Sequence, residues 1–264
     1  MDFRKSQLMI NSLLFRWSYS GQQKNPYPDN RDLKNLNPGE ILSRQKITNN
    51  GNKIIKIDFG IIMVPENRNK KNPKYILLPI MKWNALTNNP SKPIFWLGGI
   101  LSSTSTPTLS GELELLLSNI EWMLYHHDII MVGYRGINVL ASSGCNKLNK
   151  IFEIENNPVS FSNLHIVKKT FNSAFKKLRE KEVDLDGYNI VEVADDLESV
   201  RRAFGYQKIN LLSVNFGNSV CLIYSLKYSE HLNQTLISEA DSHENLLASP
   251  EIFYSQLKYY HKLR

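Results

Sequence analysis

The stretch from Tyr188 to Ala240, YNIVEVADDLESVRRAFGYQKINLLSVNFGNSVCLIYSLKYSEHLNQTLISEA, predicts helix, strand, a very tight turn, helix and strand. Asp195–Phe204 carries Leu197, Val200, Ala203 and Phe204 at helical spacing, and Glu198 stands four residues before Arg202, close enough to pair on one face. Gly205 is a helix stop. Lys208–Val214 (KINLLSV) is a short apolar run suited to a buried parallel strand. Asn215-Phe216-Gly217 makes the turn, Asn218–Tyr228 is a mostly apolar helix, and Gln234–Ser238 is the next strand. Two short strands joined through a helix imply a right-handed crossover and a parallel sheet.

Outward from that stretch the same alternation continues. Ile54–Val64 (IIKIDFGIIMV) and Tyr75–Asn84 (YILLPIMKWN) flank a polar loop and predict an antiparallel pair. Ile94–Leu97 is a strand that ends at Gly98-Gly99, Glu112–Leu124 a helix, and Asp128–Val132 a buried strand that ends in Gly133-Tyr134-Arg135-Gly136. Ser162–Lys181 is a further helix. The expected class is α/β: a mostly parallel sheet with an antiparallel N-terminal pair and helices on both faces. Residues 1–50 are polar and rich in turn residues, and predict an arm anchored by Trp17, Tyr19 and Tyr27; residues 51–240 form the core; residues 241–264 are a separate polar-apolar tail.

Composition sets the outer bounds. The chain has 264 residues, 42% hydrophobic and 22% charged, enough to bury a substantial core. The net charge of +7 is spread over scattered lysines without a compact basic-aromatic block, so neither nucleic acid nor a membrane is an expected partner. The two cysteines, Cys145 and Cys221, make neither a disulfide framework nor a metal site. No metal or cofactor is expected. No apolar run is long enough to span a bilayer. Cytoplasm is the expected location; the basic start and short apolar patch of MDFRKSQLMINSLLF are weak signal-like features that point the other way.

The strand–turn–helix at Ser213-Val214-Asn215-Phe216-Gly217 resembles the nucleophile elbow of the α/β-hydrolase fold, more narrowly of the proline iminopeptidase and tripeptidyl aminopeptidase type, where the turn reads G-x-S-x-G. Gly60–Asn67 is similar to that family's early G-x-x-x-V-P-E-[ND] segment, and Pro93–Gly99 to the strand before its glycine-rich oxyanion loop. Gly133–Gly136 is similar to its D-[QY]-R-G-x-G turn, and Val183–Ala240 is the nearest match. The resemblance implies a sheet core with a cap insertion, of which residues 241–264 would be the beginning. It also implies a hydrolase that releases N-terminal residues from peptides.

Several positions depart from that pattern. Asn215 stands at the nucleophile position, and an amide forms no ordinary acyl intermediate. Gly98-Gly99-Ile100-Leu101 replaces the family's G-G-P-G, leaving Gly98, Gly99 and Phe216 as candidate oxyanion donors, with Ser213 and Gly217 as structural parts of the elbow. The family's acid and histidine come from strands after the elbow, beyond Arg264; Asp241 and His243 read as an exposed loop rather than their substitutes. Ser213 lies before the apex and Ser219 in the following helix. Arg135 is expected in a buried ion pair or hydrogen-bond role, and Asp195-Asp196 to point to different faces instead of forming a dyad. Three functions follow. The first is a degenerate hydrolase-family protein without activity, the second an aminopeptidase completed by another chain. The third is a non-catalytic module that binds a peptide or small molecule between Gly98-Gly99 and Asn215. An exposed sheet edge is expected to favour self-association or a partner chain.

Overall fold

The computed structural model describes residues 26–29, 32–50, 53–98, 110–136 and 161–238. Seven strands form one sheet: β1 (Ile41–Asn50), β2 (Lys53–Pro65), β3 (Tyr75–Trp83), β4 (Ser91–Leu97), β5 (His127–Val132), β6 (Ile209–Val214) and β7 (Leu232–Ser238). Their order across the sheet is β1-β2-β3-β5-β4-β6-β7. The pairs β1·β2, β2·β3 and β3·β5 are antiparallel, whereas β5·β4, β4·β6 and β6·β7 are parallel. Among the described residues four α-helices accompany them: α1 (Ser110–Leu124), α2 (Phe161–Glu180), α3 (Ile190–Ala203) and α4 (Phe216–Lys227). The molecule is α/β with a mixed sheet, mostly parallel from β5 to β7 and linked there by crossovers.

Strict alternation along the central strands builds two cores, one on each face. In β2, Ile57, Phe59, Ile61 and Met63 point to the face that holds Leu117, Ile120 and Leu124 of α1. Ile62 and Val64 point to the other, with Val193, Leu197 and Val200 of α3 and Val220 and Tyr224 of α4. β5 divides likewise, Ile129 and Met131 against Ile130 and Val132. A strand buried on both faces has this near-continuous apolar character.

Helix α3 begins at the Asn189 cap, whose side chain accepts from the N–H groups of Val191 and Glu192. It therefore starts five residues before the predicted Asp195, which places Asp195 and Asp196 in its second turn, beyond the reach of the N-terminal dipole. It stops at Gly205, which takes the left-handed conformation (φ 72°) that ends helices at low cost.

The N-terminal segment differs from the predicted polar arm. Ile41–Asn50 is a strand in full register with β2, so the antiparallel part of the sheet has three strands, not two. Hydrophobic patterning does not reveal β1, because most of its residues are exposed on both faces. Its backbone is paired, and its polar side chains suit an edge. Before it, Tyr27, Leu33 and Leu36 are buried, with the Tyr27 ring edge-on to Phe59 at 5.2 Å. Tyr27 thus anchors this segment as expected; Trp17 and Tyr19 lie outside the described residues.

Candidate functional site

The parallel strands converge on an elbow after β6. Asn215 is exposed at its apex and holds φ 55° and ψ −120°, outside the regions that side-chain-bearing residues ordinarily adopt. The carbonyl of Asn215 accepts from the N–H of Asn218 at 2.9 Å, closing the turn into α4. Gly217 explains how so sharp a turn packs: a Cβ there would lie 2.2 Å from the carbonyl oxygen of Leu97 at the end of β4. Only hydrogen fits.

Ser213 is wholly buried, and its hydroxyl donates to Asn218 Oδ1 at 2.8 Å. Asn218 Nδ2 in turn donates to the Ser238 carbonyl at 3.0 Å, joining the elbow to the end of β7. Ser219 lies in the first turn of α4. Below it Cys221 is fully buried, and burial pushes its thiol pKa up, away from reactive thiolate.

Gly98 is buried at the end of β4, and its carbonyl accepts from the Tyr134 hydroxyl at 2.9 Å. The same tyrosine meets the Phe216 ring edge-on at 5.6 Å and 72°. Tyr134 therefore connects the β4 end, the turn after β5 and the first residue of α4. Sequence reasoning singled out its neighbour Arg135 and missed it; the signal available was an aromatic residue between two glycines directly after a buried strand. Gly99, Ile100, Asp241 and His243 lie outside the described residues.

Next to Tyr134, Arg135 is buried and forms the expected ion pair. Its Nε and Nη2 grip both oxygens of Asp196 at 2.7 and 2.6 Å, and its Nη1 donates to the carbonyls of Glu66 and Gly187 at 2.7 and 2.6 Å. Arg68 adds a second cation, 2.8 Å from Asp196 Oδ1, and its backbone N–H donates to Glu192 at 2.8 Å. Asp195 points elsewhere, to Lys227 and Tyr228. The adjacent carboxylates thus serve different faces, and both are structural. Glu66 is also buried. One oxygen accepts from the Tyr188 hydroxyl at 2.9 Å, the other has no partner among the described residues, and burial raises the carboxyl's pKa.

Histidines do not gather at the elbow among the residues described for the sheet ends. His126 and His127 lie at the start of β5, and His231 precedes β7. Those are the N-terminal ends of parallel strands, and Asn215 is at the C-terminal end of the strand between. A six-residue strand such as β6 separates the ends by roughly 20 Å. No group of three or more His, Cys, Asp and Glu suited to a metal ion occurs among the described residues, nor is any described helix long and apolar enough to cross a membrane.

No family model matches the chain, and no curated protein matches it in sequence. Solved structures resemble it loosely. A provisionally assigned acyltransferase of Salmonella enterica is 11% identical over 76% of this chain and 49% of its own, with a TM-score of 0.40. A provisionally assigned α/β hydrolase of Nostoc sp. PCC 7120 is 14% identical over 83% and 50%, with a TM-score of 0.39. Lipase A of Candida antarctica, in its closed state, is 12% identical over 82% and 47%, with a TM-score of 0.40. The chain spans about half the length of these structures. So loose a likeness transfers no activity.

Proposed function

We propose that this chain is an α/β-hydrolase-like scaffold, of the proline iminopeptidase kind, whose elbow does not perform acyl transfer. The observation that carries the reading is Asn215 at the apex, exposed and in the strained backbone conformation of an elbow, with an amide in place of a hydroxyl. Acyl transfer needs a nucleophile, a base that takes its proton and an orienting acid. An amide offers no hydroxyl proton, and the histidines placed by the sheet lie at its other end. The supports of the turn are in place: Gly217, Tyr134 and Asn218 hold it without chemistry.

The test is hydrolysis of aminoacyl p-nitroanilides and p-nitrophenyl esters by the purified chain, beside Asn215→Ala. Neither protein is expected to exceed the uncatalysed background. Turnover by the native chain that disappears in Asn215→Ala would overturn the reading. Asn215→Ser is expected to stay unlabelled by a fluorophosphonate, because none of the histidines described at the sheet ends stands beside the apex to act as base.

A second reading is favoured by the open side of β7, which pairs only with β6 among the described residues. A separate polypeptide could add strands there and bring the acid and histidine of an N-terminal peptidase. Restoration of anilide hydrolysis on adding a candidate partner, and its loss in Asn215→Ala, would support it. Failure of any co-purified chain to confer turnover counts against it.

A further inference from the structure

We infer that Asn215 is a site of intramolecular deamidation, and that the native elbow promotes its conversion to aspartate and isoaspartate. The reaction begins when the backbone nitrogen of residue 216 attacks the side-chain carbonyl carbon of Asn215. Five atoms close into a succinimide ring: that nitrogen, the carbonyl carbon and Cα of residue 215, its Cβ and its Cγ. Ring closure requires the backbone nitrogen and Cβ to eclipse one another about the Cα–C bond. In an L residue Cβ is offset from its own nitrogen by about 120° around that bond. The ψ of −120° at Asn215 therefore brings the Phe216 nitrogen onto Cβ. Most backbone conformations keep the two apart; α-helical ψ near −42° and extended ψ near +135° are both far from eclipse.

Three further features favour the step. Phe216 is the first residue of α4, so its N–H has no acceptor within the helix and is not held in a ladder. The Asn215 side chain makes no capping hydrogen bond and is exposed, leaving χ1 free to bring Cγ over the nitrogen. The positive end of the α4 dipole faces the negative charge that develops on the attacking nitrogen and on the tetrahedral oxygen.

The balance needs only water. The N–Cγ bond forms, the Phe216 N–H proton passes to solvent, and the Cγ–Nδ2 bond breaks to release ammonia. Water then opens the ring. Attack at Cγ gives aspartate, and attack at the main-chain carbonyl carbon gives isoaspartate. An inert amide at the apex thereby becomes an ionised carboxylate, one of the side-chain classes able to act as a nucleophile. Asn189 is the internal contrast. Its ψ of 167° is far from eclipse, and its side-chain oxygen is occupied by the N–H groups of Val191 and Glu192.

The experiment is peptide mapping by mass spectrometry on the full-length chain, held in mildly alkaline buffer made with heavy-oxygen water. A parallel sample is held unfolded in urea, and Asn215→Asp supplies the reference peptide. Conversion at position 215, with uptake of the heavy oxygen, is expected to run about tenfold faster in the folded chain than in the unfolded one, as fixing one backbone conformation in advance should allow. Asn189 is expected to stay intact in the folded sample. Conversion of Asn215 at an equal or lower rate in the folded chain overturns the inference. The readout is covalent and independent of hydrolase assays, so its failure is distinct from failure of the proposed function.

Discussion

Asn215, Gly217 and Glu66 each hold a position that a substitution can interrogate. At Gly217 the Leu97 carbonyl leaves no room for a methyl group, so Gly217→Ala forces the elbow away from β4. The expected loss is about 3 kcal/mol in urea denaturation, the upper end for overpacking. Glu66 tests electrostatics. Burial raises its carboxyl above the ordinary value, since only one of its oxygens is bonded to another side chain. A carboxyl raised in the folded state binds its proton more tightly there than in the unfolded chain. Its contribution is fully present in acid, below the unfolded value, and declines as pH rises through the folded one. Glu66→Gln, which stays neutral and can still accept from Tyr188, is expected to be more stable than the native chain at neutral pH. The two should converge in acid. Melts at both pH values check this, and an advantage of equal size at each would refute it.

Among elements, the buried charges matter most. Arg135 after β5, Arg68 between β2 and β3, and Asp196 and Glu192 on α3 form one network that fastens the strand ends to a helix. Removing one partner of a buried pair leaves its mate uncompensated, so Arg135→Met is expected to cost about 3–5 kcal/mol by urea titration. Asp195→Asn, on the other face, should cost less than about 1 kcal/mol, since its Lys227 partner is substantially exposed. Much of this level was legible in the residues. The alternating runs of β2 through β6, the Glu198–Arg202 pair, the stop at Gly205 and the turn at Asn215 all follow from local spacing. β1 was not legible, because a strand with two polar faces leaves no period to read. The Arg68 contribution was not legible either, because its partners are supplied by a helix distant in the chain. At the site, the apex residue could be named from the strand–turn–helix pattern. Tyr134 could not, since its role depends on two elements meeting in space.

For the molecule as a whole, the open side of β7 is the feature with most consequence for behaviour in solution. The strand reads LNQTLIS and carries no charge. Leu236 is 64% exposed on it, and Leu226 of the adjoining α4 is 85% exposed. An uncharged edge that no other described strand covers, beside exposed apolar side chains, invites pairing with another strand. Association that grows with concentration is expected in light scattering, and Leu236→Lys is expected to suppress it. A native chain that stays monomeric from dilute to concentrated solution would refute this.

The sequence separation of the charge network also bears on when it forms as the chain folds. Arg68 and Asp196 are 128 residues apart in sequence, and Arg68 and Glu192 are 124 apart. Closing so long a segment costs entropy that local hairpins avoid, so these contacts belong on the native side of the rate-limiting barrier. Loss of the Arg68 guanidinium should therefore leave the refolding arm of a chevron almost unmoved and steepen nothing on it, while the unfolding arm shifts upward. The clasp between loop and helix would then act as a lock on escape from the native state, set only after the local hairpins have formed.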